Sequence, residues 1–200
     1  MKMKNNAAVF FDRDGTINEE VGYLDKLDKI RIIPGAPEAI KLINLSGMKA
    51  IVITNQSGVA RGLFTEELVQ KANEVIQSEL KKSGAYVDGF YYCPHHPTEG
   101  RGIYLLTCKC RKPAPGMLFS AGKDFNIDLA ESYLVGDTFR DVQTAKTAGL
   151  KAILVKTGYG KELLLDGNND QATPENKPDY IAEDILAAVQ WILKERNKDA

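Results

Sequence analysis

Ala7-Ala8-Val9-Phe10-Phe11-Asp12-Arg13-Asp14-Gly15-Thr16 is an apolar run with β-branched and aromatic side chains that stops abruptly at two acids. Such a run reads as a buried strand whose carboxyl end delivers polar residues into a crevice. In an extended segment residues two apart point the same way, so Asp12 and Asp14 stand side by side, and Gly15 lets the chain turn just beyond them. Adjacent carboxylates repel unless a cation sits between them or one keeps its proton. The stretch therefore predicts a metal site or an acid beside a nucleophile. Taken alone, it also fits a strand end followed by an Asp/Gly turn. Arg13 reads as a solvated strand-end charge without a role.

Further apolar segments end in polar tips. Lys49 to Thr54 runs into Asn55-Gln56-Ser57-Gly58, and Val87 to Tyr92 into Cys93-Pro94-His95-His96-Pro97. Ser132 to Val135 runs into Gly136-Asp137-Thr138-Phe139-Arg140-Asp141, and Lys151 to Val155 precedes Thr157-Gly158-Tyr159-Gly160. Helical spacing fills the gaps: from Pro34 to about Leu45, from Thr65 through Leu68, Ala72, Val75, Ile76 and Leu80, from Gly116 to Phe125, through Val142 to Gly149, and from Asp184 to Glu195. Ile17 to Ile33 has no sustained period and reads as a functional loop or small flap beside the acids, and Leu165 to Pro178 reads as a loop. Five strands alternating with helices predict a doubly wound, mainly parallel five-stranded sheet of Rossmann-like α/β type, as one domain over 1–200 without a large cap.

The totals bound the function. A chain of 200 residues, 44% hydrophobic, can bury one sizeable core. Lys plus Arg number 26 against 27 acids, so a polyanionic partner, nucleic acid or anionic membrane, is disfavoured. The first residues lack a signal h-region and no stretch approaches about 18 consecutive apolar residues, so a cytoplasmic, soluble protein, working as a monomer, is expected. The cysteines, at 93, 108 and 110, cluster as in a metal site of a reducing compartment.

At one edge of such a sheet Asp12, Asp14, Thr54, Lys112, Asp137 and Asp141 form a set suited to phosphoryl transfer. Mg²⁺ takes a few oxygen ligands and keeps several waters, so Asp12, Asp137 and the Asp14 carbonyl can hold it while Lys112 and Thr54 neutralise the remaining phosphate oxygens. Asp12 can form an aspartyl-phosphate, with Asp14 protonating the leaving oxygen and later taking a proton from water.

Asp12-Arg13-Asp14-Gly15-Thr16, Thr54, Lys112 and Gly136-Asp137 with Asp141 resemble, in order, the four motifs of the haloacid dehalogenase-like phosphatases. Asn55-Gln56-Ser57-Gly58-Val59-Ala60-Arg61-Gly62, Tyr91-Tyr92-Cys93-Pro94-His95-His96-Pro97 and Cys108-x-Cys110-Arg111-Lys112-Pro113 look like the D,D-heptose 1,7-bisphosphate phosphatase branch. The resemblance implies removal of the 7-phosphate from a phosphorylated sugar on the way to nucleotide-activated heptose. It also implies a haloacid dehalogenase fold, Asp12 as nucleophile, Asp14 as acid/base, Thr54 and Lys112 as phosphate stabilisers and Arg111 in substrate recognition. Glu20, Val21, Gly22 and Tyr23, and Thr54 through Asn55, Gln56 and Ser57, match the branch's substrate contacts. Glu20 stands where an Asp is common, and Thr138, also assigned to substrate, where a Lys often follows.

Cys93-x-His95 and Cys108-x-Cys110 offer three sulfurs and one imidazole, a complete set for a structural Zn²⁺ clipping the loop 93–110 and ordering Arg111 and Lys112 beside the phosphate. The choice of His95 over His96 follows the resemblance. Histidinol phosphate or another small sugar phosphate is the alternative substrate, and a non-catalytic receiver or zinc-binding module the alternative class. A receiver, however, has no need of a second Asp two residues after the first.

Overall fold

The computed structural model describes residues 6–165 and 177–198. The apolar runs form β1 (Ala8–Phe11), β2 (Lys49–Asn55), β3 (Gly89–Cys93), β4 (Tyr133–Gly136) and β5 (Lys151–Val155), joined by a short β6 (Tyr180–Ala182). All pair in parallel, in the order β3-β2-β1-β4-β5-β6. Burial on both faces explains why β1 is a continuous apolar run rather than an alternating one. Val9 and Phe11 enter one core with residues of α1 (Ala36–Ser46), α2 (Glu66–Lys81) and α6 (Ile185–Lys198). Ala8 and Phe10 enter the other, with α3 (Gly116–Asp124) and α4 (Phe139–Thr147).

Local chemistry sets the helix ends. Gly35 and Gly47 flank α1 in the left-handed region, at φ 84° and 79°, with Pro37 in the first turn. Thr65 caps α2 by accepting the Leu68 N–H at 3.3 Å, and Val69, rather than the neighbouring Leu68, is buried with Ala72, Ile76 and Leu80.

The sheet has six strands, not five. β6 is three residues long, too short to show a period. Asp179 docks it: its N–H donates to Ala152 O at 2.8 Å, and its Oδ2 accepts the Ala152 N–H at 2.6 Å. A further short helix, α5 (Gly160–Leu165), follows the Thr157-Gly158-Tyr159 turn, in addition to the five helices that the spacing predicts. Of the expected loop Leu165 to Pro178, positions 166–176 lie outside the described residues. Within 17–33 the regular structure is a three-residue 3-10 turn (Leu27–Lys29) and isolated bridges of Asn18 with Asp14 and Ile32, in keeping with a small flap. Among the described residues no helix is long and apolar enough to cross a membrane.

Strand order reverses at β1, whose neighbours are β2 and β4. The loops after those three strands diverge around one crevice, and Asp12 is the first residue into it.

Candidate active site

Asp12 follows β1 directly, its N–H donating to Val135 O of β4 at 2.9 Å. Lys112 arrives from the long segment after β3. Its buried Nζ lies 2.8 Å from Asp12 Oδ1 and 2.6 Å from Asp141 Oδ1, and donates to Ile53 O at 3.2 Å. Asn55 fixes the lysine's backbone from the tip of β2, accepting from Lys112 N at 3.0 Å and donating to Lys112 O at 3.1 Å. The other Asp141 oxygen accepts from the Thr138 N–H at 3.2 Å and hydroxyl at 2.5 Å. Asp141 thus ties the start of α4 to Lys112. Asp12, Asn55, Lys112 and Thr138 line a cavity of about 300 Å³, with Asp141 buried behind them.

Carboxylate oxygens of Asp12, Asp137 and Asp141 all lie within 4.8 Å of one another. Burial raises the Asp12 carboxyl to about 7, the Asp141 charge adding to the effect and Lys112 opposing it. Burial, then Asp12 and Asp141, raises Asp137 to about 8. Lys112 is raised too, which for an amine favours its charged form: burial disfavours that charge, but Asp12 and Asp141 more than restore it. One ammonium among three buried acids leaves negative charge uncompensated, which is the chemistry of a divalent-cation site. The backbone also keeps room there. Asp137 Oδ2 accepts the Tyr159 N–H at 2.9 Å, and a Cβ on either Gly15 or Gly158 would fall 2.1 Å from that oxygen. With Asp141 engaged by Lys112 and Thr138, the donors that fit Mg²⁺ are Asp12 and Asp137.

Arg13 is not solvated. It is 1% exposed and lies in the interior, where its guanidinium grips Asp14: Nε and Nη2 donate to Oδ1 at 3.2 and 3.1 Å, and Nη2 to Oδ2 at 2.9 Å. Nη1 donates to Asn73 Oδ1 of α2 at 3.3 Å. Asn18 Nδ2 adds a bond to Asp14 Oδ1 at 2.8 Å, and Gln56 Nε2 divides itself between Asp14 Oδ2 at 2.8 Å and Thr54 Oγ1 at 2.9 Å. Burial alone would push the Asp14 carboxyl up. The Arg13 charge and these hydrogen bonds outweigh it and hold the carboxyl below its usual range.

Of the expected substrate residues, Glu20, Gly22, Tyr23, Asn55, Gln56, Ser57, Arg111 and Thr138 line the cavity. Val21 does not, and is 39% exposed. Thr138 turns its hydroxyl into the helix cap, and Asn55 commits both amide atoms to Lys112. Sequence reasoning gave no role to Arg140 and Tyr159, which also line the cavity. The Thr-Gly-Tyr-Gly segment after a strand end was the available signal for Tyr159.

The Cys93, Cys108 and Cys110 sulfurs lie 3.2 to 3.5 Å apart, and His95 Nδ1 lies 3.7 and 3.4 Å from the sulfurs of Cys93 and Cys110. A tetrahedral zinc with Zn–S near 2.3 Å spaces its sulfurs by about 3.8 Å, so the four donors need move only tenths of an ångström to close on one ion. His96 stands apart, its Nδ1 accepting the Glu99 N–H at 2.9 Å. A second fastening holds the same loop: Glu66, the first residue of α2, accepts the hydroxyls of Tyr92 at 2.7 Å and Tyr104 at 2.6 Å. Arg111, next to the cluster, donates to His95 O at 3.2 Å.

A family model described as HAD-hydrolase-like matches residues 109–188. The chain is 42% identical over 187 residues to a D-glycero-beta-D-manno-heptose-1,7-bisphosphate 7-phosphatase of Haemophilus ducreyi, spanning 92% of this chain and 97% of that one. It is 38% identical over 196 residues to the protein of that name in Escherichia coli (strain K12), spanning 96% and 97%. A crystal structure of D,D-heptose 1.7-bisphosphate phosphatase from B. bronchiseptica, complexed with magnesium and phosphate, superposes with a TM-score of 0.81 at 33% identity, covering 94% of this chain and 99% of that one. With its strand order, its acids and its lysine around one crevice, and this likeness over nearly its whole length, the chain belongs to the haloacid dehalogenase-like phosphatases, in the branch that these heptose-bisphosphate phosphatases form.

Proposed function

We propose that the chain is a Mg²⁺-dependent phosphatase that removes the 7-phosphate of D-glycero-D-manno-heptose 1,7-bisphosphate. The observation that carries the reading is the meeting of Asp12, Lys112 and Asp137 in one cavity, with Asp14 held beside them. Asp12 attacks phosphorus to give an aspartyl-phosphate while Asp14 delivers a proton to the leaving sugar oxygen. Water then attacks the acyl phosphate and Asp14 takes the proton back. The donors around Asp14 favour its ionised form, which suits the second half of the cycle. The first half needs Asp14 protonated, against the pull of those donors. Lys112 and Thr54 hold phosphoryl oxygens. Asp12, Asp137 and the Asp14 carbonyl would hold Mg²⁺, which supplies positive charge against the phosphoryl group.

Two guanidiniums at the cavity support a bisphosphate. Arg111 is held below its ordinary range by burial and then by the neighbouring charge of Arg140. An anionic group between them relieves that repulsion, and a second phosphate provides one. Glu20, Gly22 and Tyr23, with Ser57 and Thr138, complete the proposed sugar contacts. The proposal extends to one catalytic domain over 1–200 acting as a monomer in the cytoplasm. Its test is turnover of the heptose bisphosphate against other sugar phosphates and histidinol phosphate. We expect ³¹P NMR to show loss of the C7 resonance with C1 retained. A higher kcat/KM for histidinol phosphate would overturn it.

The cysteine cluster is proposed as a structural Zn²⁺ site. Protein purified without chelators should carry about one zinc per chain, and turnover should depend on added Mg²⁺ but not on added zinc. Cys108→Ser should lower activity on the bisphosphate by on the order of 100-fold, because Arg111 and Lys112 lose their placement, with a smaller effect on Tm. Zinc-free protein together with full activity in Cys108→Ser would remove the site.

A further inference from the structure

Arg13 is the largest side chain on the interior side of the catalytic loop, and nothing in the reaction described above uses it. A buried guanidinium is costly unless its charge and hydrogen bonds are met. Here three donor contacts go to Asp14 and one to Asn73. The fork is planar and rigid, so two-point contact with both oxygens of a carboxylate fixes the plane of that carboxylate as well as its position. Asn73 in turn belongs to α2, whose buried residues also include Val69, Ala72 and Ile76. A chain of contacts therefore runs from the core packing of α2, through Asn73 and Arg13, to a side chain that opens on the cavity.

We propose that Arg13 is a positioning residue: it sets the rotamer and plane of the Asp14 carboxylate, with Asn73 fixing the guanidinium from behind. The proposal rests on the reading of Asp14 as the proton-transfer group. The Arg13 side chain does not reach the cavity wall and meets the reacting groups only at the Asp14 carboxylate, so its effect passes through Asp14 alone; its backbone N–H, which donates to Asp12 Oδ1 at 2.7 Å, is kept in any substitution. Lysine cannot replace it, because a single ammonium meets one oxygen and leaves the plane free.

A double-mutant cycle on heptose bisphosphate turnover tests this. Arg13→Met should lower kcat by about 10 to 100-fold, the scale of a displacement near 1 Å in a reacting group, with KM changed by less than about threefold. Arg13→Lys should not restore kcat. In an Asp14→Asn background, Arg13→Met should cost less than about twofold more, since the group it serves has already been disabled. A purely architectural arginine gives the opposite result: losses that multiply in the double variant, and these would overturn the proposal. An Asp14→Asn protein with unchanged kcat would instead remove the reading of Asp14, so the two failures are distinguishable. If Arg13→Met does not fold, Asn73→Ala carries the same cycle at smaller amplitude. Asn73→Ala should lower kcat about two- to fivefold in the parent and not at all in Asp14→Asn, and equal effects in the two backgrounds would again overturn the proposal.

Discussion

Asp12→Asn should abolish turnover, a loss on the order of 10⁴-fold or more in kcat, the scale seen when an enzyme loses its nucleophile. The amide keeps the size of the carboxylate but can neither attack phosphorus nor carry its share of the charge that attracts a divalent cation. The fold should not suffer. Burial, with Asp141 close by, makes ionisation of Asp12 expensive, whereas Lys112 keeps its 2.6 Å partner Asp141 in the variant. A carboxyl raised to about 7 contributes stability only in its protonated form, at low pH, and that contribution fades as pH climbs through the folded value. At pH 8, without divalent cations, the Asn variant should therefore melt at or above the parent temperature. Thermal melts and a phosphate-release assay on one preparation check both halves. Residual kcat within tenfold of the parent would remove covalent catalysis by Asp12.

The second large effect belongs to Asp14. Asp14→Asn leaves the backbone carbonyl in place and can still accept bonds from Arg13 and Asn18 through its side-chain oxygen, so substrate and metal binding should survive. Proton transfer should not, at a cost of roughly 10² to 10⁴-fold in kcat on the sugar phosphate. The leaving group discriminates. A nitrophenolate needs no proton to depart, so formation of the phosphoenzyme from 4-nitrophenyl phosphate, followed as a burst of nitrophenolate, should lose far less than the same step on the sugar. Equal losses on the two substrates would show that Asp14 is not the acid.

Features set by short stretches of chain were the most legible in the sequence. The run from Ala7 to Thr16 carries both its burial and its paired acids within ten residues, and the α/β order follows from repeated runs of that kind. The cysteine loop was legible because four ligands of suitable chemistry sit in two short pairs. What escaped depended on distant partners. Arg13 follows a strand end, where charge is ordinarily solvated, and its burial is decided by Asn73 on a helix 60 positions away. The amide of Asn55 resembled a substrate donor, yet its partner is the backbone of Lys112, 57 positions away. Tyr159 acts on Asp137 through its backbone N–H, which leaves no side-chain signature. β6 is too short for periodicity and owes its place to Asp179. Val21 illustrates a limit of another kind: in an irregular segment, the direction of one side chain cannot be read from its neighbours.

The carboxylate of Glu66 clasping two tyrosine hydroxyls bears on how the cysteine loop would take up and release the zinc proposed for it. Tyr92 immediately precedes Cys93, and Tyr104 stands four positions before Cys108. With both phenols moored to α2, Cys108 can stray no more than about 14 Å from the Tyr104 anchor, even with those four residues fully extended. The thiols of the stripped protein thus remain at an effective concentration in the millimolar range or above, the regime of tethered ligands. Rebinding is then a chelation within a tethered ring rather than a search by a free chain. Metal exchange at this loop should accordingly be reversible and fast, with the parallel sheet never opening.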